Sequence, residues 1–176
     1  MNDNSIEYAM IKGMNEILIA RKLIAAIDVQ ALQEAFNHSE VERYEEFLLD
    51  EEVVVKADLL NVLEKYYQMP AVDVVGMLLD HDLVIKFPKD VMLRMGFVPY
   101  QQDGDILQVI AARPHDAELL AVIGESVSYD VVFMVGFYRD ICDAVKEFYD
   151  SSIASFIGDD VEEEEEELDD EVIDEL

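Results

Sequence analysis

The spacing of apolar residues changes character at Met69-Pro70, and that change confines the chain to folds in which a helical part precedes a mixed one. Before it, Met10, Ile11, Met14, Ile17 and Leu18, then Leu23, Ile24 and Ile27, then Ala31, Leu32, Ala35 and Phe36, recur at the three- and four-residue steps of a helix face. This predicts two short helices broken near Asp28. Ser39-Glu40-Val41-Glu42 has the hydroxyl-then-acid spacing of a capping box, which predicts a third helix from about Glu40, ended by the turn Asp50-Glu51-Glu52. Val53-Val54-Val55 reads as a short extended piece leading to a fourth helix, with Leu59, Leu63 and Tyr66 on one face.

Beyond Pro70 the pattern is mixed. Ala71 to Val75 is short and β-branched, as a strand requires. Pro88 to Met95 reads as a short helix closed by Gly96. Phe97 to Tyr100 and Asp105 to Ala111 are strand-like runs around Gln102-Asp103-Gly104, which predicts a hairpin with Asp103-Gly104 as its turn. Arg113-Pro114-His115-Asp116 opens a helix expected to run through Ile123 and stop at Gly124. Val127 to Val135 follows as a buried strand and Tyr138 to Tyr149 as an amphipathic helix. The order is helices, then βαββαβα, so the expected class is α+β, an α/β sandwich behind a helical subdomain. The boundaries are residues 1–66 for the helical portion, 67–150 for the small α/β domain and 151–176 for an acidic, disordered tail.

Charge divides along the same lines. The chain has 41 Asp and Glu against 12 Lys and Arg, a net charge of -29. Thirteen of the acids lie in Asp159 to Leu176, which has no base, leaving 28 acids and a net charge of -16 in residues 1–158. Such a charge opposes encounter with nucleic acid or an anionic membrane. The run Glu162 to Glu167 repels itself into an extended, solubilising segment. Its interspersed Val161, Leu168, Val172, Ile173 and Leu176 also make a pattern able to fold onto a basic groove of a partner. The single cysteine, Cys142, permits no intrachain disulfide and fits a reducing cytosol. Ala9 to Ile27 is apolar, but Lys12, Glu16, Arg21 and Lys22 interrupt it, so it reads as an amphipathic helix of a soluble protein rather than a signal peptide or a membrane span.

Catalytic constellations are missing. The seven glycines form neither G-x-x-x-x-G-K-[ST] nor G-x-G-x-x-G, and no serine sits in G-x-S-x-G. His38, His81 and His115 are far apart; Asp80-His81-Asp82 reads as a solvated loop and not as a metal site. Cys142, between Ile141 and Asp143, reads as a buried structural thiol because the acids Asp140 and Asp143 disfavour a thiolate. Met10, Met14, Tyr66 and Tyr67 read as core packing. No catalytic residue and no metal ligand is therefore expected.

From Asp58 to Tyr149 the order of short motifs is specific: Tyr67-Gln68-Met69-Pro70-Ala71-Val72-Asp73-Val74, Phe87-Pro88, Gly96-Phe97-Val98-Pro99-Tyr100, Gly104-Asp105-Ile106-Leu107-Gln108-Val109-Ile110-Ala111 with Pro114 and Asp116 behind it, and a closing helix ending Phe148-Tyr149. This resembles the N-terminal domain of the type II secretion and type IV pilus assembly ATPases over about residues 40–150, with Arg113 where that family usually has Asp. The resemblance implies a docking or regulatory domain, which in the family precedes a hexameric ATPase and contacts an inner-membrane assembly protein. The chain ends in acids where the ATPase would begin, so a stand-alone copy is expected.

Some members of that family bind cyclic di-GMP through a helical motif opening R-L-G-x-x-[LVI]-[VI]-x-x-G-[LF]-[IV] and continuing with two leucines and a glutamine. Arg43, Leu48, Val53, Val54, Leu59 and Leu63 fit it and Leu49 nearly does, while Tyr44 and Glu45 replace the Leu-Gly, Glu52 the second Gly and Tyr66 the Gln. The resemblance thus implies Arg43, Leu48, Leu49, Leu59 and Leu63 as ligand-binding candidates. Glycine lets backbone approach a ligand closely, and Glu45 and Glu52 would instead set two negative charges against a doubly anionic dinucleotide. Leu48, Leu49, Leu59 and Leu63 equally suit a core seam between two helices. Arg21 to Phe36 resembles a further copy less well.

The reading is a non-catalytic, cytoplasmic protein-interaction module without a cofactor, whose partner is a secretion or pilus inner-membrane component or ATPase. It is expected neither to bind nucleic acid nor to insert into membrane. A cyclic di-GMP sensor and an acidic secretion chaperone are the alternatives.

Overall fold

The structure, a computed structural model, describes residues 3–159. Its first half is helical: α1 spans Asp3–Ala20, a 3-10 turn Ala26–Asp28, α2 Val29–His38, α3 Tyr44–Asp50 and α4 Lys56–Tyr67. The second half holds two short helices, α5 at His81–Val84 and α6 at Lys89–Met95, then β1 at Phe97–Asp103 and β2 at Ile106–Ala111. Helix α7 (Ala117–Ser126), β3 (Asp130–Val135) and α8 (Tyr138–Asp159) complete it. The sheet has the order β1-β2-β3, antiparallel between β1 and β2 and parallel between β2 and β3, as a helical crossover requires. This is the expected α+β architecture.

Two hydrophobic clusters form its core. One gathers Met10, Met14, Leu18, Tyr44, Leu48, Leu59, Val62 and Leu63 of the helical half. The other gathers Val84, Phe87, Met92, Phe97, Leu107, Ile110, Leu119 and Val145 of the α/β half. Val135 and Phe137, immediately before α8, pack into the helical cluster, so the two halves are joined where β3 hands over to α8.

Several elements differ in detail from expectation. The first break is longer than a single point: it spans residues 21–28, up to the expected Asp28, because α1 ends at Ala20 and α2 begins only after Asp28. Ser39 does not start α3: its Oγ donates to the Phe36 carbonyl and accepts from the Val41 amide, closing α2, and α3 starts at Tyr44 with Arg43 as an extended N-cap. Ala71 to Val75 is not a strand; only Ala71 bridges, to Val135. The hairpin turn is Gly104-Asp105, one residue later than expected, since Asp103 still pairs with Ile106 and Gly104 takes the positive φ of +58°. Asp80-His81-Asp82 is a helix start, the Asp80 carboxylate accepting from the amides of Asp82 and Leu83. Gly124 lies inside α7 rather than ending it. Helix α8 passes the expected boundary at residue 150 and continues to Asp159. The tail expected to be disordered lies, from residue 160 on, outside the described residues.

The helical half also repeats itself. At the end of α1 the Leu23 amide donates to the Leu18 carbonyl and the Lys22 amide to that of Ile19, both at 2.9 Å. At the end of α3 the Val53 amide donates to the Leu48 carbonyl and the Glu52 amide to that of Leu49, both at 3.0 Å. Each is a Schellman ending, with Lys22 (φ +60°) and Glu52 (φ +54°) in the left-handed conformation. Arg21 to Phe36 therefore repeats, in backbone, the turn and helix of 51–66.

Candidate functional site

The motif that carries Arg43 sits at the junction of the two halves. Helix α3 is anchored from below: the Tyr44 hydroxyl donates to Oδ1 of Asn15 on α1 at 2.8 Å, and the Tyr44 ring meets Phe36 and Phe47. That leaves Arg43, at the N-cap, facing α8. Its guanidinium lies 4.0 Å over the ring of Tyr138, the first residue of α8, in cation–π contact. The Tyr138 hydroxyl donates to the Leu93 carbonyl at 2.9 Å, tying the same ring to α6.

The next two residues of α8 continue the junction. The Arg139 amide donates to Oε1 of Glu46, and its guanidinium grips both carboxylate oxygens of Asp50 at 2.7 and 2.8 Å. That pairing holds the Asp50 carboxyl below the usual carboxylate range. Asp140 meets Lys56 Nζ at 2.9 Å, and the same amine reaches Asp73 at 2.7 Å. The first three residues of α8 are thus each held by a residue of α3, α4 or the loop between α2 and α3. A cleft of about 260 Å³ opens there, lined by Glu40, Glu42, Arg43, Glu46, Tyr138 and Arg139. Its three carboxylates exceed its two guanidiniums by one, a small net charge against an anionic occupant.

Of the ligand-binding candidates, the structure sets Arg43 at this cleft and the leucines elsewhere. Leu48, Leu59 and Leu63 are enclosed in the helical core, with Leu49 packed partly against it. The motif's residues are therefore near in sequence but do not converge with Arg43 on one surface. Glu45 does not project toward a ligand as its position suggests: it is 4% exposed, with Oε1 3.9 Å from Arg43 and no hydrogen-bond partner for Oε2. Burial pushes its carboxyl above the ordinary range, against the pull of Arg43 and Arg113. Glu52 is exposed at the end of α3. Sequence reasoning missed Tyr138, Arg139, Glu46 and Asp50. The pairing is long-range, and the sequence offers for it only the acids Glu46 and Asp50 and the base Arg139, with no local pattern that joins them.

Cys142 is buried, its Sγ 3.7 Å from the Leu93 carbonyl, and burial raises the thiol pKa. Among the described residues no cluster of His, Cys, Asp and Glu could hold a metal ion, and no helix is long and apolar enough to cross a membrane.

Residues 67–155, the α/β half with nearly all of α8 described above, match the MshEN domain. The chain belongs to the MshEN domain family. A structure of MshE with cdg (cyclic di-GMP) superposes with a TM-score of 0.63 at 18% identity, covering 77% of this chain and 98% of that one. The N-terminal domain of XpsE superposes at 0.56 with 16% identity, covering 78% and 94%. No curated protein matches. The MshEN fold, joined to the helical half, is thus that of the N-terminal domains of secretion and pilus ATPases, as the motif order implied. The MshEN match begins at Tyr67, so Arg43 and the α3–α4 leucines lie outside it.

Proposed function

We propose that this MshEN chain is a non-catalytic cytoplasmic module that regulates a secretion or pilus machine by docking a protein component of it. The observation that supports this reading is the state of Arg43: its guanidinium is stacked on Tyr138 in a cleft where the carboxylates of Glu40, Glu42 and Glu46 outnumber the guanidiniums of Arg43 and Arg139. A site so arranged favours a partner with a basic face over an anionic small molecule. A pull-down with the full chain, read by mass spectrometry, is expected to recover an inner-membrane assembly component or an ATPase of such a machine. Recovery of no secretion, pilus or motility protein overturns the reading.

A second reading, cyclic di-GMP sensing, is favoured by the fold shared with MshE, solved with cdg, and by the left-handed backbone kept at Glu52, where the motif has glycine. Calorimetry with cyclic di-GMP tests it. Heat at micromolar protein that Arg43→Ala abolishes supports sensing, and no heat in either protein excludes it.

A further inference from the structure

We propose that the groove between the 74–79 loop and α8 receives a basic amphipathic segment of the protein partner; this rests on the docking reading above. The groove has a volume of about 630 Å³. One wall is apolar: Leu78 is 94% and Val75 65% exposed, with Leu79 beside them. The other wall is α8, which presents Asp140, Asp143 and Glu147, and no lysine or arginine lines the groove.

The apolar wall is held in place before any partner arrives. The Met77 amide donates to the Val74 carbonyl at 3.1 Å, the Val75 amide to Asp73 Oδ1 at 3.2 Å, and Val74 is buried as a pin under the loop. Asp73 is itself clamped by Lys56, which also holds Asp140. A preformed loop that keeps two large apolar side chains in water forgoes the free energy of their burial, which a partner can recover.

Charge selects the occupant. Lys56 offsets Asp140 from behind, and Lys146 meets Asp143 at 3.2 Å, but that pair is exposed and worth little. The rim therefore stays negative. The chain's own acidic run, Glu162 to Glu167, carries the wrong sign for it, and a second copy would bring the same carboxylates against themselves. An apolar helix face flanked by lysine or arginine satisfies both walls.

Fluorescence anisotropy with the full chain tests this, using as probe a synthetic amphipathic helix with leucines on one face and lysines beside them. The lysine peptide is expected to bind and its glutamate counterpart not to. Leu78→Asp should weaken binding about tenfold or more. Glu147→Lys should weaken it severalfold, and Asp28→Lys, an equal charge change far along the chain, should not. The exposure of Leu78 makes its variant safe for folding, which circular dichroism checks. Unchanged binding by Leu78→Asp, an equal loss with Asp28→Lys, or a dimer in light scattering that Leu78→Asp dissolves each overturns the groove. A pull-down that keeps its secretion or pilus component with Leu78→Asp moves docking to another surface. A pull-down empty of such components while the peptide binds normally overturns the docking reading and leaves the groove.

Discussion

The ring of Tyr138 fills the space that a side chain at position 96 would need: a Cβ built on Gly96 would overlap Cδ2 of Tyr138. Gly96 also ends α6 with φ +65°. Its missing side chain lets Tyr138 press against α6 while presenting its face to Arg43, so one glycine sets the contact between the two halves. Gly96→Ala should therefore cost about 2–4 kcal/mol, from backbone strain and displacement of the ring together. Denaturant unfolding measures it, and a loss below about 1 kcal/mol would show that the ring gives way easily.

Lys22 and Glu52 hold the left-handed position of two Schellman endings without being glycine, and both are exposed. The conformation costs a side-chain-bearing residue about 1 kcal/mol or more. Lys22→Gly and Glu52→Gly should each stabilise the chain by about 0.5–1 kcal/mol, after the extra freedom of glycine in the unfolded chain is deducted. Thermal melts of each variant decide it; a fall in midpoint for both would mean that the side chains make contacts outweighing the strain.

These two positions also mark what the sequence could not disclose. Apolar spacing revealed α1, α2, α4, α8 and the strands of the sheet, because burial on one face leaves a periodic trace, and Pro88 with Gly96 revealed α6. The repeat of the α1 and α3 endings left only the weak likeness of Arg21 to Phe36, since its usual glycine is a lysine in one copy and a glutamate in the other. Ala71 to Val75 has strand composition but pairs only at Ala71, because the loop turns away to cover the core with Val74. Arg43 was legible as a candidate through its motif. Its partner Tyr138 was not, since a contact across 95 positions is decided by the packing of α3 on α8 rather than by local pattern.

Leu48 and Leu49 are adjacent but should behave differently. Leu48 is fully enclosed by the helical core, and its carbonyl closes the α3 ending, whereas Leu49 is only partly covered. Leu48→Ala should cost about 2–5 kcal/mol. Leu49→Ala should cost about 1 kcal/mol. Equal losses in chemical denaturation would contradict the placement of the α3 face.

Asp50 and Arg139 form a bidentate pair across the junction, half-exposed on the arginine side. Since Arg139 lowers the Asp50 pKa, the pair's contribution is present above the ordinary carboxylate value and is lost as pH falls through the lowered one. Solvent screening keeps it small, so Asp50→Asn should cost about 0.5–1 kcal/mol at neutral pH. The difference between the two proteins should shrink in high salt and again in acid. A loss that neither salt nor acid changes would point to packing rather than charge.

Glu45 should act in the opposite sense. Its carboxyl is buried, lacks a hydrogen bond at Oε2, and is raised in pKa chiefly by loss of solvent, with Arg43 and Arg113 only partly countering and Glu46 adding to the rise. A raised folded-state pKa means that the folded chain holds the proton longer than the unfolded chain. Its contribution is complete below the ordinary value of 4.5 and is lost as pH climbs through the raised one. Glu45→Gln keeps the shape and removes the charge, so at neutral pH the variant should melt higher than the parent, and the gap should close as pH falls below 4.5. If the variant instead melts lower at neutral pH, attraction to Arg43 and Arg113 outweighs the cost of burial, and the carboxylate is a stabilising strut of the junction rather than a burden on it.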